Sequence, residues 1–333
     1  MKHRNSPTVS AVKRRPLLFG AVALVFLLSG LFRSGAESAP AKVDHPMPVV
    51  SAMANQQDKD LRKRVEVLAK QYNADPIDAQ NHPVWKAIPS LNGVEVDVEA
   101  TMEKAKASKG DRIPLVAKQI PAAISLDDLG PLPIYRGNGE KKQMALMVNV
   151  AWGEEYLADM LDTFETHNVQ VTFFLDGSWT KKNPDLAKEL LVRGHELGNH
   201  AYSHPDMANL DSRSQLSQIV RTNQAIKRAT GQTPTLFAPP GGAFNDETVK
   251  QAHGQKMRTI LWTIDTLDWR KPPAASIQDK VLSRAENGAL VLMHPTEPTR
   301  EALRSLLPNL KKKGYDLVTV SELIDPTRPL QNP

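Results

Sequence analysis

From residue 142 onward, short apolar runs alternate with amphipathic stretches in a regular order. Runs at 144–150, 171–175, 236–238, 259–264, 289–293 and 317–320 have the length and composition of strands. Between them, 156–167, 184–193, 212–230, 275–285 and 301–313 space their apolar residues at helical intervals. Strands alternating with helices predict a parallel α/β domain. About 180 residues carrying six or seven such units predict a small, incomplete (β/α) barrel, with its chemistry on loops at the C-terminal ends of the strands.

Upstream the pattern is weaker. Residues 58–72 place Leu61, Val65, Leu68 and Tyr72 on one helical face. Asn92-Gly93 reads as a turn, Val94, Val96 and Val98 alternate behind it, and a helical pattern follows to 105. The apolar, proline-broken stretch 113–124 reads as a further strand. A small α+β domain is therefore expected over 57–138, with no catalytic motif. Residues 34–56, rich in Ala, Ser and Pro, read as a linker. The α/β barrel should occupy 139–325, and 326–333 form a C-terminal tail.

Residues 16–32, PLLFGAVALVFLLSGLF, are uncharged and follow Lys13-Arg14-Arg15. Basic residues stay cytoplasmic while an apolar stretch enters the membrane, so 1–33 read as a signal peptide or signal anchor. Seventeen residues are near the lower limit for a bilayer span, and Ala39-Pro40-Ala41 offers a small-residue cleavage site. Under either reading the rest of the chain works outside the cytoplasm, anchored or secreted. This segment also explains the charge. The chain carries a net +5, yet residues 1–33 hold six basic side chains and no acidic one, which leaves the other 300 residues near −1. No nucleic-acid partner is implied, and Lys311-Lys312-Lys313 read as a solvated helix end. The absence of cysteine excludes disulfides, thiolate metal sites and thiol catalysis.

Candidate chemistry clusters at the expected strand ends. His200 and His204 are four apart, so on a helical turn both imidazoles reach one metal ion. Neutral imidazoles suit Zn, Co or Ni, and a further ligand is needed. His195 is expected to be structural, hydrogen-bonded beneath that site. Pro239-Pro240-Gly241-Gly242 form a rigid loop after one strand. Asp265, Asp268 and Trp269 follow another, and His294 ends a third. A metal pair plus a carboxylate that orients a histidine is equipment for metal-assisted hydrolysis. Glu154 and Glu155, behind Gly153, are either the acidic first turn of a helix or substitute metal ligands.

In this order the pieces resemble the polysaccharide deacetylases, the NodB-homology domain of carbohydrate esterase family 4. Val171-Thr172-Phe173-Phe174 and Gly314-Tyr315 belong to the resemblance, which covers about 142–323. Asn149-Val150-Ala151-Trp152-Gly153 and Leu261-Trp262-Thr263 look like the family's uncharacterised YlxY-like branch, as does Val84-Trp85-Lys86-Ala87-Ile88-Pro89. The resemblance implies a NodB-type barrel that removes acetyl groups from cell-wall or chitin-like glycans with a divalent metal. It implies His200 and His204 as metal ligands, His294 as general acid, and Asp265 as its orienting carboxylate. Trp269, Asp268, Pro240 and Gly241 would line the substrate groove. The chain departs from the pattern where the family carries Thr-Phe-Asp-Asp-Gly. Alignment on Gly153 puts Ala151 and Trp152 at the base and ligand positions, and an ungapped register from Thr172 puts Asn149 and Val150 there. The third motif's arginine is Ala238 here, and its aromatic residue is Gly241. Weak or absent metal binding is expected, with impaired hydrolysis or a purely glycan-binding role.

Overall fold

A computed structural model describes residues 49–108, 110 and 112–330. The 16–32 segment lies outside the described residues, and among these no helix is long and apolar enough to cross a membrane. From residue 52 onward the described residues form one compact unit.

The chain begins with α1 (Val49–Tyr72), β1 (Gln80–His82), β2 (Lys86–Ile88), β3 (Gly93–Val96), α2 (Val98–Ala107) and β4 (Ala117–Ile120). β1 pairs with β2 and β3 with β4, both antiparallel. α1 starts before the expected helix and takes in residues expected as linker, because Ala, Met, Asn and Gln at 52–57 extend a helix already nucleated downstream. Val65 and Met102 pack together with Ile113, which joins α1 to α2. Pro326 and Arg328, from the expected C-terminal tail, bond to this region. Asn92 N–H donates to the Pro326 carbonyl at 2.7 Å, and Arg328 Nε donates to the Asn92 carbonyl.

The barrel follows as β5 (Gln143–Val150), α3 (Glu154–Thr166), β6 (Thr172–Leu175), α4 (Gly177–Lys182), α5 (Pro184–Val192), β7 (Glu196–Asn199), α6 (Ser212–Thr230) and β8 (Leu236–Phe237). It continues with α7 (Asp246–Gly254), β9 (Arg258–Thr259), β10 (Ile264–Asp265), α8 (Ala274–Arg284), β11 (Leu290–Met293), α9 (Glu297–Lys312), β12 (Asp316–Val318) and α10 (Val320–Ile324). The strands form one parallel sheet in the order β10-β11-β5-β6-β7-β8-β9, an open path, with β12 added beside the first residues of β5. This is the incomplete barrel that the alternation predicts. The run 259–264 is not one strand: β9 and β10 stand at opposite ends of the path. Between them Leu261 N–H donates to the Ile134 carbonyl and Thr263 N–H to the Leu290 carbonyl. The apolar residues there are buried by a chain crossing, not by one ladder.

β5 sets the polarity of the site. All its residues after Gln143 are buried, as expected of a central parallel strand covered on both faces. Met144, Leu146, Val148 and Val150 enter the core beneath the helices, while Ala145 and Met147 enter the inner cluster with Phe174, Leu236 and Leu292. With a side-chain period of two, Asn149 is the next inner residue and Val150 is an outer one. Gly153 caps α3 with φ +83°, and a Cβ there would collide with the Pro295 carbonyl oxygen. Only glycine fits where β5 turns into α3.

Candidate active-site cleft

The ends of β5, β7, β8, β10 and β11 converge on a cleft of about 480 Å³. Asn149, Ala151 and Trp152 form one wall, His200 and His204 another, and Trp262, Asp265, Trp269 and His294 complete it with Gly241 and Leu292. Of the residues singled out from the sequence, His200, His204, Asp265, Trp269, His294 and Gly241 therefore meet. Pro240 is buried and is not among the lining residues.

The two histidines are not on a helical turn. Residues 200–205 form an irregular loop behind β7, and both Ala201 (φ +58°) and His204 (φ +54°) adopt left-handed conformations. That loop still brings the rings to 5.1 Å between centroids. His200 is buried and its Nδ1 donates to the Ala238 carbonyl at 2.7 Å, which leaves Nε2 as a lone pair facing the cleft. Burial, reinforced by His204, lowers its pKa to about 3 against the pull of the Ala238 bond.

The carboxylate that orients His294 is Asp268, not Asp265. Asp268 is fully buried, and its Oδ1 lies 2.7 Å from His294 Nδ1. Its Oδ2 accepts the His294 N–H and the Thr299 hydroxyl. Asp268 is thus a support for His294 and not an exposed part of the groove. Asp265 ends β10 one step nearer the cleft, and its Oδ1 accepts the Leu267 N–H at 2.9 Å. Trp152, 43% exposed, lies parallel to the His294 ring, with centroids 5.9 Å apart. Trp269 is 49% exposed and carries the Arg270 guanidinium over its face at 4.6 Å.

Glu154 and Glu155 are exposed in the first turn of α3, and Glu154 Oε2 accepts the Trp179 indole N–H. Neither lines the cleft, so the first-turn reading stands. Asn149 is the residue hardest to place by sequence. It is 3% exposed, lines the cleft, and its Oδ1 is buried without a hydrogen-bond partner. Val150 belongs to the core under the helices, whereas Ala151 and Trp152 face the cleft.

His195 lies beneath the site as expected. Its Nδ1 accepts the Val171 N–H, and the edges of Phe164 and Phe173 enclose it. Burial, with the Arg193 charge nearby, lowers its pKa to about 4. Because both His195 and His200 titrate lower when folded, the unfolded chain takes up protons first as pH falls below about 6.5. The stability present above that pH is then lost on the way to about 4. Melting followed by circular dichroism should give a markedly lower Tm at pH 4.5 than at pH 7.5. His195→Phe should reduce that difference, although it leaves the Val171 N–H unpaired.

A family model for polysaccharide deacetylase matches residues 136–260. The uncharacterized protein YlxY of Bacillus subtilis is 44% identical over 264 residues, which are 79% of this chain and 83% of that protein. The chain belongs to the polysaccharide deacetylase family. A crystal structure of a CE4 family pseudoenzyme from Bacillus anthracis is 41% identical, with a TM-score of 0.76 over 81% of this chain and 96% of that one. A mutant of that pseudoenzyme is described as having restored enzymatic activity, at the same identity and TM-score. The peptidoglycan-N-acetylglucosamine deacetylase PgdA of Listeria monocytogenes is 37% identical over 183 residues, 55% of this chain and 39% of that protein.

Family deacetylases use a divalent metal, but the donors gathered here do not fit one. Among the described residues no group of three His, Cys, Asp or Glu side chains is placed to hold an ion. His200 and His204 supply two imidazoles, and the facing wall supplies an amide, a methyl and an indole. The carboxylate of the cleft, Asp265, is not placed with the two histidines to complete a ligand set.

Proposed function

We propose that this chain is a catalytically impaired deacetylase that binds cell-wall glycan outside the cytoplasm, exported by residues 1–33. The observation that carries this reading is the end of β5. Where hydrolysis of an acetyl group needs a carboxylate to take the proton of water, the cleft presents Asn149, Ala151 and Trp152. An amide has no basic lone pair at neutral pH. The leaving-group side is better equipped, since Asp268 holds Nδ1 of His294 and leaves Nε2 for a ligand. Three indoles line the cleft, and exposed indole faces suit the apolar faces of sugar rings. PgdA and a Bacillus cereus relative are peptidoglycan-N-acetylglucosamine deacetylases, which points to N-acetylglucosamine polymers as the ligand class.

The purified full chain should release little acetate from peptidoglycan or N-acetylglucosamine oligomers, yet bind glycan in the presence of a chelator. Trp269→Ala should weaken that binding about tenfold or more, the cost of removing an aromatic anchor. Stoichiometric zinc together with turnover abolished by His200→Ala would overturn the proposal.

A further inference from the structure

The cleft offers several acceptors beside the indole N–H groups of its three tryptophans. His200 spends its one N–H on the Ala238 carbonyl, and His294 holds Nδ1 against the Asp268 carboxylate. Each therefore turns Nε2, a lone pair in the neutral ring, toward the ligand. Asn149 adds a buried carbonyl oxygen that no protein group satisfies. A buried acceptor without a partner is costly, and a ligand that donates to it recovers that cost. Asp265 adds a carboxylate. It lines the cleft, accepts one backbone N–H, and has no ion-pair partner among the described residues. Arg270 rests on the face of Trp269, and the position where the family resemblance calls for an arginine is Ala238.

We infer that the cleft selects an amino sugar whose nitrogen is a free ammonium, a de-N-acetylated glucosamine unit of a glycan, over the N-acetylated unit. This rests on the glycan-binding reading above and specifies which glycan is bound. An ammonium is a donor in all three of its N–H bonds and accepts nothing, which matches the acceptor side of the cleft, the Asp265 carboxylate and the Asn149 carbonyl. Indole faces add attraction for a cation. An acetamido group brings one N–H and a carbonyl oxygen. That oxygen would face the Asp265 carboxylate and the imidazole lone pairs, or would have to turn away to an indole N–H. The same feature that makes the site a poor hydrolase, an amide in place of a carboxylate base, leaves room for the product of such a hydrolase. The protein would then read glycan already processed by an active N-deacetylase.

Isothermal titration calorimetry on the purified full chain tests this with three probes at pH 6: glucosamine tetramer, N-acetylglucosamine tetramer and spermine. The glucosamine tetramer should bind at least tenfold more tightly than the acetylated one, and spermine should bind more weakly than the glucosamine tetramer. Asp265→Asn should cut the preference about tenfold. Asn149→Leu should reduce the preference in the same direction. Equal or tighter binding of the acetylated tetramer would overturn the inference and leave the glycan-binding reading intact. Binding of neither tetramer would overturn both. Spermine binding as tightly as the glucosamine tetramer, or an unchanged preference in Asp265→Asn, would show general affinity for polycations and overturn the inference alone.

Discussion

Asn149→Asp is expected to raise acetate release from N-acetylglucosamine oligomers by about 10²–10⁴-fold, the contribution of a positioned general base. The strand phase of β5 selects this position. Asn149 shares the inner face with Ala145 and Met147 and reaches the cleft that holds His200, His204 and His294. The replacement is nearly isosteric, so the backbone and the neighbouring side chains need not move. The new carboxyl would be desolvated, with Ala238 offering it no guanidinium, and desolvation raises a carboxyl pKa. The rate should therefore climb with pH from above the ordinary carboxylate range and level off as the base ionises. Val150→Asp, one residue on, should give no activity and a less stable protein, because it places a charge in the core under the helices. The restored activity described for a mutant of the 41% identical Bacillus anthracis pseudoenzyme shows that a relative's scaffold can regain turnover. A folded Asn149→Asp protein with acetate release no higher than wild type would mean that the base is not the missing part.

The barrel is legible in the sequence because its signal is redundant. Buried strands such as 144–150 and amphipathic helices such as 212–230 each repeat a periodic pattern, and α6 (Ser212–Thr230) has the predicted bounds. Where burial comes from something other than a ladder, periodicity misleads. Residues 259–264 are apolar because the chain crosses the inner core there, and β7 is hidden because Glu196–Asn199 is short and contains Gly198. The same limit applies to the cleft. The four-residue spacing of His200 and His204 does bring them together, but through left-handed loop residues and not a helical turn. Asp265 and Asp268 are both visible in the sequence, and assigning their roles requires knowing which carboxylate is buried. Pattern alone does not reveal this, since the left-handed Leu267 (φ +55°) between them redirects the chain. The two registers for 149–152 leave open which side chains reach the site. The inner phase of β5 answers that Asn149 does and Val150 does not.

Asp268→Ala is expected to be the most damaging single substitution in the cleft, costing about 3–5 kcal/mol of stability, as when one partner of a buried polar network is removed. Three donors converge on this carboxylate: His294 Nδ1–H, the His294 backbone N–H and the Thr299 hydroxyl. Asp268 is fully buried, so water cannot readily replace it, and the turn from β11 into α9 would lose its tie to the loop after β10. At about 1.5 °C per kcal/mol for a chain of 333 residues, Tm should fall by roughly 4–8 °C. Asp265→Ala should shift stability by no more than about 1 kcal/mol, because this half-buried side chain accepts a single backbone N–H. Urea unfolding of the two variants against wild type separates the cases, with the midpoint moving and the slope constant if the native state alone is affected. Thr299→Val removes one donor of the three and should cost about 1 kcal/mol. A ranking in which Asp265→Ala costs more than Asp268→Ala would return the orienting role to Asp265 and undo the assignment of His294's partner. The expected ranking instead gives the two carboxylates different roles, with Asp268 fixing the histidine and Asp265 free to meet a ligand.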